Sequence, residues 1–479
     1  MKNEGIQLDF NFCRNLDFQK NLNVSVINDF MSLIFKNNQI DSSIIRKHLK
    51  FLIIELFCCW YESRDQFLAV SMSKRGYKAK SRYNPNMISS YCIDTIKFLK
   101  DKKLIEFYPG FYDCKNGFSR LSRIKASVLL VKEFENFDFN IYEILNLKKR
   151  ESLFLYDEES RLKEYEDTFE THEIREVIIN YNRTMMKTFF DIPSLEDPYV
   201  TRGDKAKIAI SQLCVIGSRD YNLNWNLGGT FSGSWWHKLD VKSITSFSKH
   251  MLINDSDTTH IDLANLFSYF LSKTISIENI DLRFDFFKKK IVFLSEIDQL
   301  NYLILKGINS KNFSGFFRSF CNDKKKLGIE EKISKKDLQN FLDLLEEHNN
   351  QIYRRFFSNS KVNWDMFVSK IFYDLIRSIG STNIPIIKIR DKIFFQTKFE
   401  RNIIDRMNSF LSKLIGRDDI NLISRKSFGY EFNKKKSLLD KFIGKKLSFS
   451  KRYIENKKNF FKLIQKNKVL INQSLKIYK

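Results

Sequence analysis

The stretch "NIPIIKIRDKIFFQ", residues 383–396, limits the fold of this chain more than any other. Two runs rich in Ile and Phe flank Arg390-Asp391-Lys392. Each run has the length of a strand, and β-branched and aromatic residues suit a pleated, buried surface. The spacing predicts a β-hairpin with charge at its turn. A solvated turn accounts for such charges, because Asp is a good turn former. An acid at a strand–turn–strand junction is also well placed to hold a metal ion. The rest of the sequence has to separate the two.

With 479 residues, 43% of them hydrophobic and only 5 Pro, the chain can build two or three domains around substantial cores. The strongest apolar run, "FLIIELFCCWY" from Phe51, falls short of the roughly 18 residues that span a bilayer. The opening "MKNEGIQLDF" has no apolar signal core, so a cytoplasmic protein is expected. Seven Cys, with no CxxC pair and no zinc-like spacing with His, read as reduced structural thiols. The net charge of +24 points to a polyanionic partner, nucleic acid ahead of a membrane surface. Part of that charge reflects a general richness in Lys, Asn, Ile and Phe.

Four regions follow from patterning. Residues 1–150 read as an N-terminal helical domain, with 16–60 helical on the spacing of Val26, Phe30, Leu33, Ile34, Leu49, Leu52, Ile53 and Leu56. A basic loop carrying Lys74 and Arg75 precedes a helix in "MISSYCIDTIKFLKDKKLI". Two short strands around a Lys-Asn-Gly turn come next. This order fits a winged helix or a small α+β cap. Residues 151–172 form an acidic linker and 173–424 a core. Residues 425–479 form a basic extension with 17 basic and 3 acidic residues, among them Lys445 and Lys446. An amphipathic helix there would offer its positive face to phosphates.

The most unusual stretch is "RDYNLNWNLGGTFSGSWWHKL", residues 219–239. Gly228, Gly229 and Gly233 permit a tight turn or close approach to a phosphate. Trp235 and Trp236 suit packing or base stacking. Further on, "TTHIDLANLFSYFL" predicts a short strand ending in Asp262, then a helix from near Asn265. Asp262 is well placed to hold a metal, but taken by itself an ordinary helix cap is the stronger reading.

In this order, "RDYN…GGTFSGSWWHKL", "HIDLANLFSYFL", the apolar helix "LNYLILKGINSKN" and "NIPIIKIRDKIFF" resemble the transposon–virus polymerases. That family is related to family A DNA polymerases and single-subunit phage-type RNA polymerases. The resemblance covers roughly residues 170–410, and its Gly-Gly…Trp-Trp motif is the specific part. It implies an α+β fold with a palm-and-fingers core around an antiparallel palm sheet. It also implies a DNA-directed nucleotidyltransferase of a phage or mobile element, using Mg²⁺ and nucleoside triphosphates, with element-encoded replication proteins as further partners.

By residue, the resemblance implies Asp262 and Asp391 as the catalytic, metal-holding acids. It implies Arg219, Asn222, Gly228, Gly229, Trp235 and Trp236 beside the nucleic acid, and Asn301 and Lys306 near the incoming nucleotide. The chemistry it implies is a template-directed, two-metal mechanism, for which two acids from separate strands suffice because Mg²⁺ takes its other ligands from water and phosphate. The chain departs from the family pattern at several positions. It has Arg390-Asp391-Lys392 for His-Asp-Ser, Thr230 for Arg and Leu263-Ala264 for Tyr-Ser. It also has Glu296 and Asn301 where the fingers helix presents Arg and Lys. Metal binding is therefore expected to survive with weakened triphosphate binding. The alternative is a weak or inactive relative that binds DNA as an initiation, accessory or defence protein. A nuclease using the same two acids has less support, since no further acidic cluster is evident in the sequence.

Overall fold

The computed structural model describes residues 8–35, 42–114, 118–145, 150–211, 218–222, 229–248, 250–276, 280, 282–380, 382–415, 422–426 and 449–467. The fold mixes helices with several small sheets. Among the described residues, no helix is long and apolar enough to cross a membrane, and six cysteines are free.

The N-terminal part is built on the helix Ser43–Glu62, whose first turn is capped by the Ser42 hydroxyl. This helix and Tyr91–Asp101 pack on a four-stranded sheet. The strand order is Cys13–Asn15, Phe67–Val70, Ser122–Ala126, Ile105–Tyr108. The helix expected from residue 16 begins instead at Ile27. The intervening Asp17 and Asn21 accept the amides of Gln19 and Asn23, local bonds that compete with helix formation. The predicted pair of strands is one hairpin in two stages, interrupted at Pro109-Gly110. A side chain at Gly110 would collide with the Arg120 carbonyl. The Lys-Asn-Gly turn lies outside the described residues.

The acidic segment is tied down at both ends. Leu153–Tyr156 is a strand parallel to Ser218–Asn222, which pairs antiparallel with Gly229–Ser232. Glu151 and Asp167 are gripped by Arg82 and Arg175 at 2.7–3.2 Å.

The sheet that carries the paired acids runs Ile386–Ile389, Lys392–Gln396, Thr258–Asp262, Ile423–Lys426, antiparallel throughout. Ile389 pairs with Lys392, so Arg390 and Asp391 form a two-residue turn. Its first three strands are almost entirely buried, packed with the helices Trp364–Ile379 and Glu400–Ile415, while Arg425 and Lys426 of the fourth are exposed. The insertion between Asp262 and Trp364 is helical and has its own core, including Phe267, Leu303, Phe316 and Phe341. The last strand and the helix Lys451–Lys466 come from the basic C-terminal region. That helix docks through Tyr453 and Phe460 on Phe189 and Leu252. The Arg452 guanidinium grips the buried Asp191 carboxylate at 2.8 and 2.9 Å.

Candidate metal centre

Asp262 ends its strand, opposite Lys392 in register. Its Oδ1 accepts the Ala264 amide at 3.0 Å, turning the chain into the next helix. Its Oδ2 faces the Lys392 ammonium, also at 3.0 Å. One oxygen of this acid thus serves the entry to the helix and the other faces the cluster.

Asp391 occupies the neighbouring hairpin turn. The turn is fixed by the bond from the Leu263 amide to the Asp391 carbonyl, 2.9 Å. Arg390 beside it has φ of 54°, the left-handed conformation that tight two-residue hairpin turns use.

A third acid joins them that sequence reasoning missed. Asp298 lies in the first turn of the helix Ile297–Asn309. Ligand atoms of Asp262, Asp298 and Asp391 all lie within 4.8 Å of one another. This corrects the expectation that no further acid accompanies the pair. An acid in a first helical turn is favoured by the helix dipole, so its sequence context looks ordinary and only the packed helix reveals its role.

The Lys392 ammonium sits among the three, 3.4 Å from Asp298 and 3.8 Å from Asp391. Burial and the Asp391 charge push the Asp298 carboxyl up to about 7. Burial acts the same way on Asp391, but Lys392 and Arg390 outweigh it and hold that group low. Of the two facing carboxyls, Asp298 is thus the one that takes a proton more readily. Burial would lower Lys392, yet the three acids hold it above the usual lysine range. Next to them His260 packs against Phe394, and burial and the Lys392 charge push it down to about 4, leaving it neutral. Apart from each other, the buried Asp298 Oδ1 and Asp391 Oδ1 find no hydrogen-bond partner among the described residues. Orphaned carboxylate oxygens of this kind, in a three-acid set, fit a hard divalent cation.

Other expected residues are placed differently. Trp235 and Trp236 are fully buried, Trp235 stacked on Phe190, and offer no face to a base. Their motif is a core motif. Arg219 is also buried, its guanidinium 4.2 Å from the Tyr373 ring centroid, and is not available to phosphate. At Gly229 a Cβ would lie 3.0 Å from the Tyr221 ring and Arg219, so this glycine serves packing. Lys306 is turned away to Asp323 and Ser319, 3.0 Å each. Asn301 is buried on the Asp298 face of its helix and reaches the Ala264 carbonyl at 3.4 Å. Lys74 and Arg75 stand exposed on the turn Lys74–Gly76. The side chain of Asn222, and Gly228, Lys445 and Lys446, lie outside the described residues. No protein-family model matches the chain, and no curated protein matches it.

Proposed function

We propose that the chain is a polymerase-like nucleotidyltransferase acting on DNA, encoded by a phage or mobile element. The observation carrying this reading is the approach of Asp262 and Asp391, 129 residues apart in sequence, on one antiparallel sheet. On this reading the four-stranded sheet is the palm and the helices between Asp262 and Trp364 are the fingers. The N-terminal sheet, with its Phe67–Val70, Ser122–Ala126, Ile105–Tyr108 order and two packed helices, is a winged-helix unit that grips template.

Asp262 and Asp391 would hold Mg²⁺. When bound, Mg²⁺ lowers the cost of activating an attacking hydroxyl and of charge on the leaving phosphate. The protein's part is positioning: the Asp262 oxygen bound to Ala264 fixes that carboxylate, and the turn bond from Leu263 fixes Asp391. Incubation with primed DNA, dNTPs or NTPs, and Mg²⁺ tests the reading through primer extension.

One observation favours the alternative, a DNA-binding relative with little catalysis. The helix that would meet the triphosphate presents Asp298 to the centre, and its Lys306 is engaged elsewhere. Salt-dependent DNA binding without extension by the wild-type chain would select that alternative.

A further inference from the structure

We propose that Lys392 is a tethered counter-ion occupying a three-carboxylate site for a single divalent cation, whose third ligand is Asp298, and that metal enters only by displacing its ammonium. This rests on reading the acids as a cation centre.

Three observations carry it. Lys392 Nζ lies 3.0, 3.4 and 3.8 Å from oxygens of Asp262, Asp298 and Asp391, the position a shared cation would take. One oxygen of Asp298 and one of Asp391 beside it have no partner among the described residues but each other, that of Asp391 on a side chain only 9% exposed. A monovalent ammonium with three donor hydrogens therefore leaves the site incompletely satisfied. Finally, the ligand atoms span at most 4.8 Å. Opposite oxygens of one bound Ca²⁺ stand about 4.6–5.2 Å apart and those of Mg²⁺ about 4.0–4.2 Å. One ion of the larger size fits as the side chains stand, and the smaller needs a slight contraction. With Lys392 in place there is no room in the cluster for any ion, so the ammonium must swing out on its flexible stem.

Titrating the full-length protein with Mn²⁺, read by calorimetry and by electron paramagnetic resonance of free Mn²⁺, tests this. Wild type should bind one ion weakly at this centre. Lys392→Met keeps most of the stem volume but removes the charge, and should bind that ion at least about tenfold more tightly. Adding Asp298→Asn to Lys392→Met should abolish the gain. Mn²⁺ should also raise the melting temperature of Lys392→Met more than that of wild type, since the metal replaces the missing counter-ion. Unchanged affinity in Lys392→Met would overturn the counter-ion role, and an unchanged gain in the double variant would remove Asp298 from the ligand set. If Lys392→Met does not fold, Asp298→Asn alone decides: weaker Mn²⁺ binding than wild type supports the site, and equal binding overturns it. Tightening without primer extension would leave this inference standing and sink the polymerase reading. Extension without tightening would do the reverse.

Discussion

Single buried side chains account for much of how this molecule differs from what its sequence suggests. His237 is the clearest. It stands at the end of the Gly/Trp motif, half-buried with its Nε2 atom shut away from solvent, and its Nδ1 accepts the Ser234 amide at 3.3 Å. Burial, reinforced by the Lys388 charge, pushes it down to about 3. Its folded pKa is thus below that of the unfolded chain, near 6.5, so the unfolded state binds the extra proton between those values. Stability is lost as pH falls through that window, by about 2 kcal/mol at pH 5 from this residue alone. His237→Gln, which keeps an acceptor without titrating, should show a smaller drop in melting temperature between pH 7 and pH 5. Equal drops in both proteins would show that His237 is not held neutral. The same burial explains why the two tryptophans misled: a Gly-flanked aromatic pair looks alike in sequence whether it faces a base or a core.

At the scale of elements, the helix Lys451–Lys466 combines two jobs. Tyr453 and Phe460 anchor it, while Lys451, Lys458, Lys462 and Lys466 are exposed at seven- and four-residue spacing along one face. Deleting the region would strip a strand from the central sheet and uncover Phe189, so substitution is the sharper probe. Changing Lys451, Lys458 and Lys462 together to Gln should weaken DNA binding of any sequence. It should also flatten the logarithmic salt slope by up to about 2.7, near 0.9 per lost phosphate contact. An unchanged slope would place the phosphate contacts elsewhere. The packing of the helix that bears Asp298 has its own test. A Cβ at Gly307 would lie 1.9 Å from the Phe356 ring. Gly307→Ala should therefore destabilise the protein by about 1–3 kcal/mol in denaturant unfolding.

Elements also mark what the sequence made legible. The 386–396 hairpin and the strand ending at Asp262 were readable as short runs of strand length bounded by turn signals, and the helix of the Lys-rich tail from its amphipathic pattern. Asp298 was not readable, because a first-turn acid gains from the helix dipole wherever the helix packs. Nor was the fate of residues 16–26, where Asn and Asp side chains outcompete the helical pattern locally.

Across the whole molecule, the acidic segment behaves as a clamp rather than a loose tether. Arg82 from the N-terminal part and Arg175 from the core share Glu151 and Asp167, and Arg82 also stacks on Tyr165. Glu151 is nearly buried, so Glu151→Ala leaves two guanidinium groups without their main partner and should cost about 3–5 kcal/mol. Limited proteolysis should then cut faster between residues 157 and 168. Unaltered cleavage would mean that the clamp does not hold the two parts together.

The central claim is that Asp262 and Asp391 form one centre for nucleotidyl transfer. Primer extension by wild type, Asp262→Asn and Asp391→Asn, compared at matched folded fraction, tests it most directly. The account predicts Mg²⁺-dependent extension by wild type and none by either variant, with DNA binding retained in all three. Extension by Asp391→Asn at the wild-type rate would contradict it.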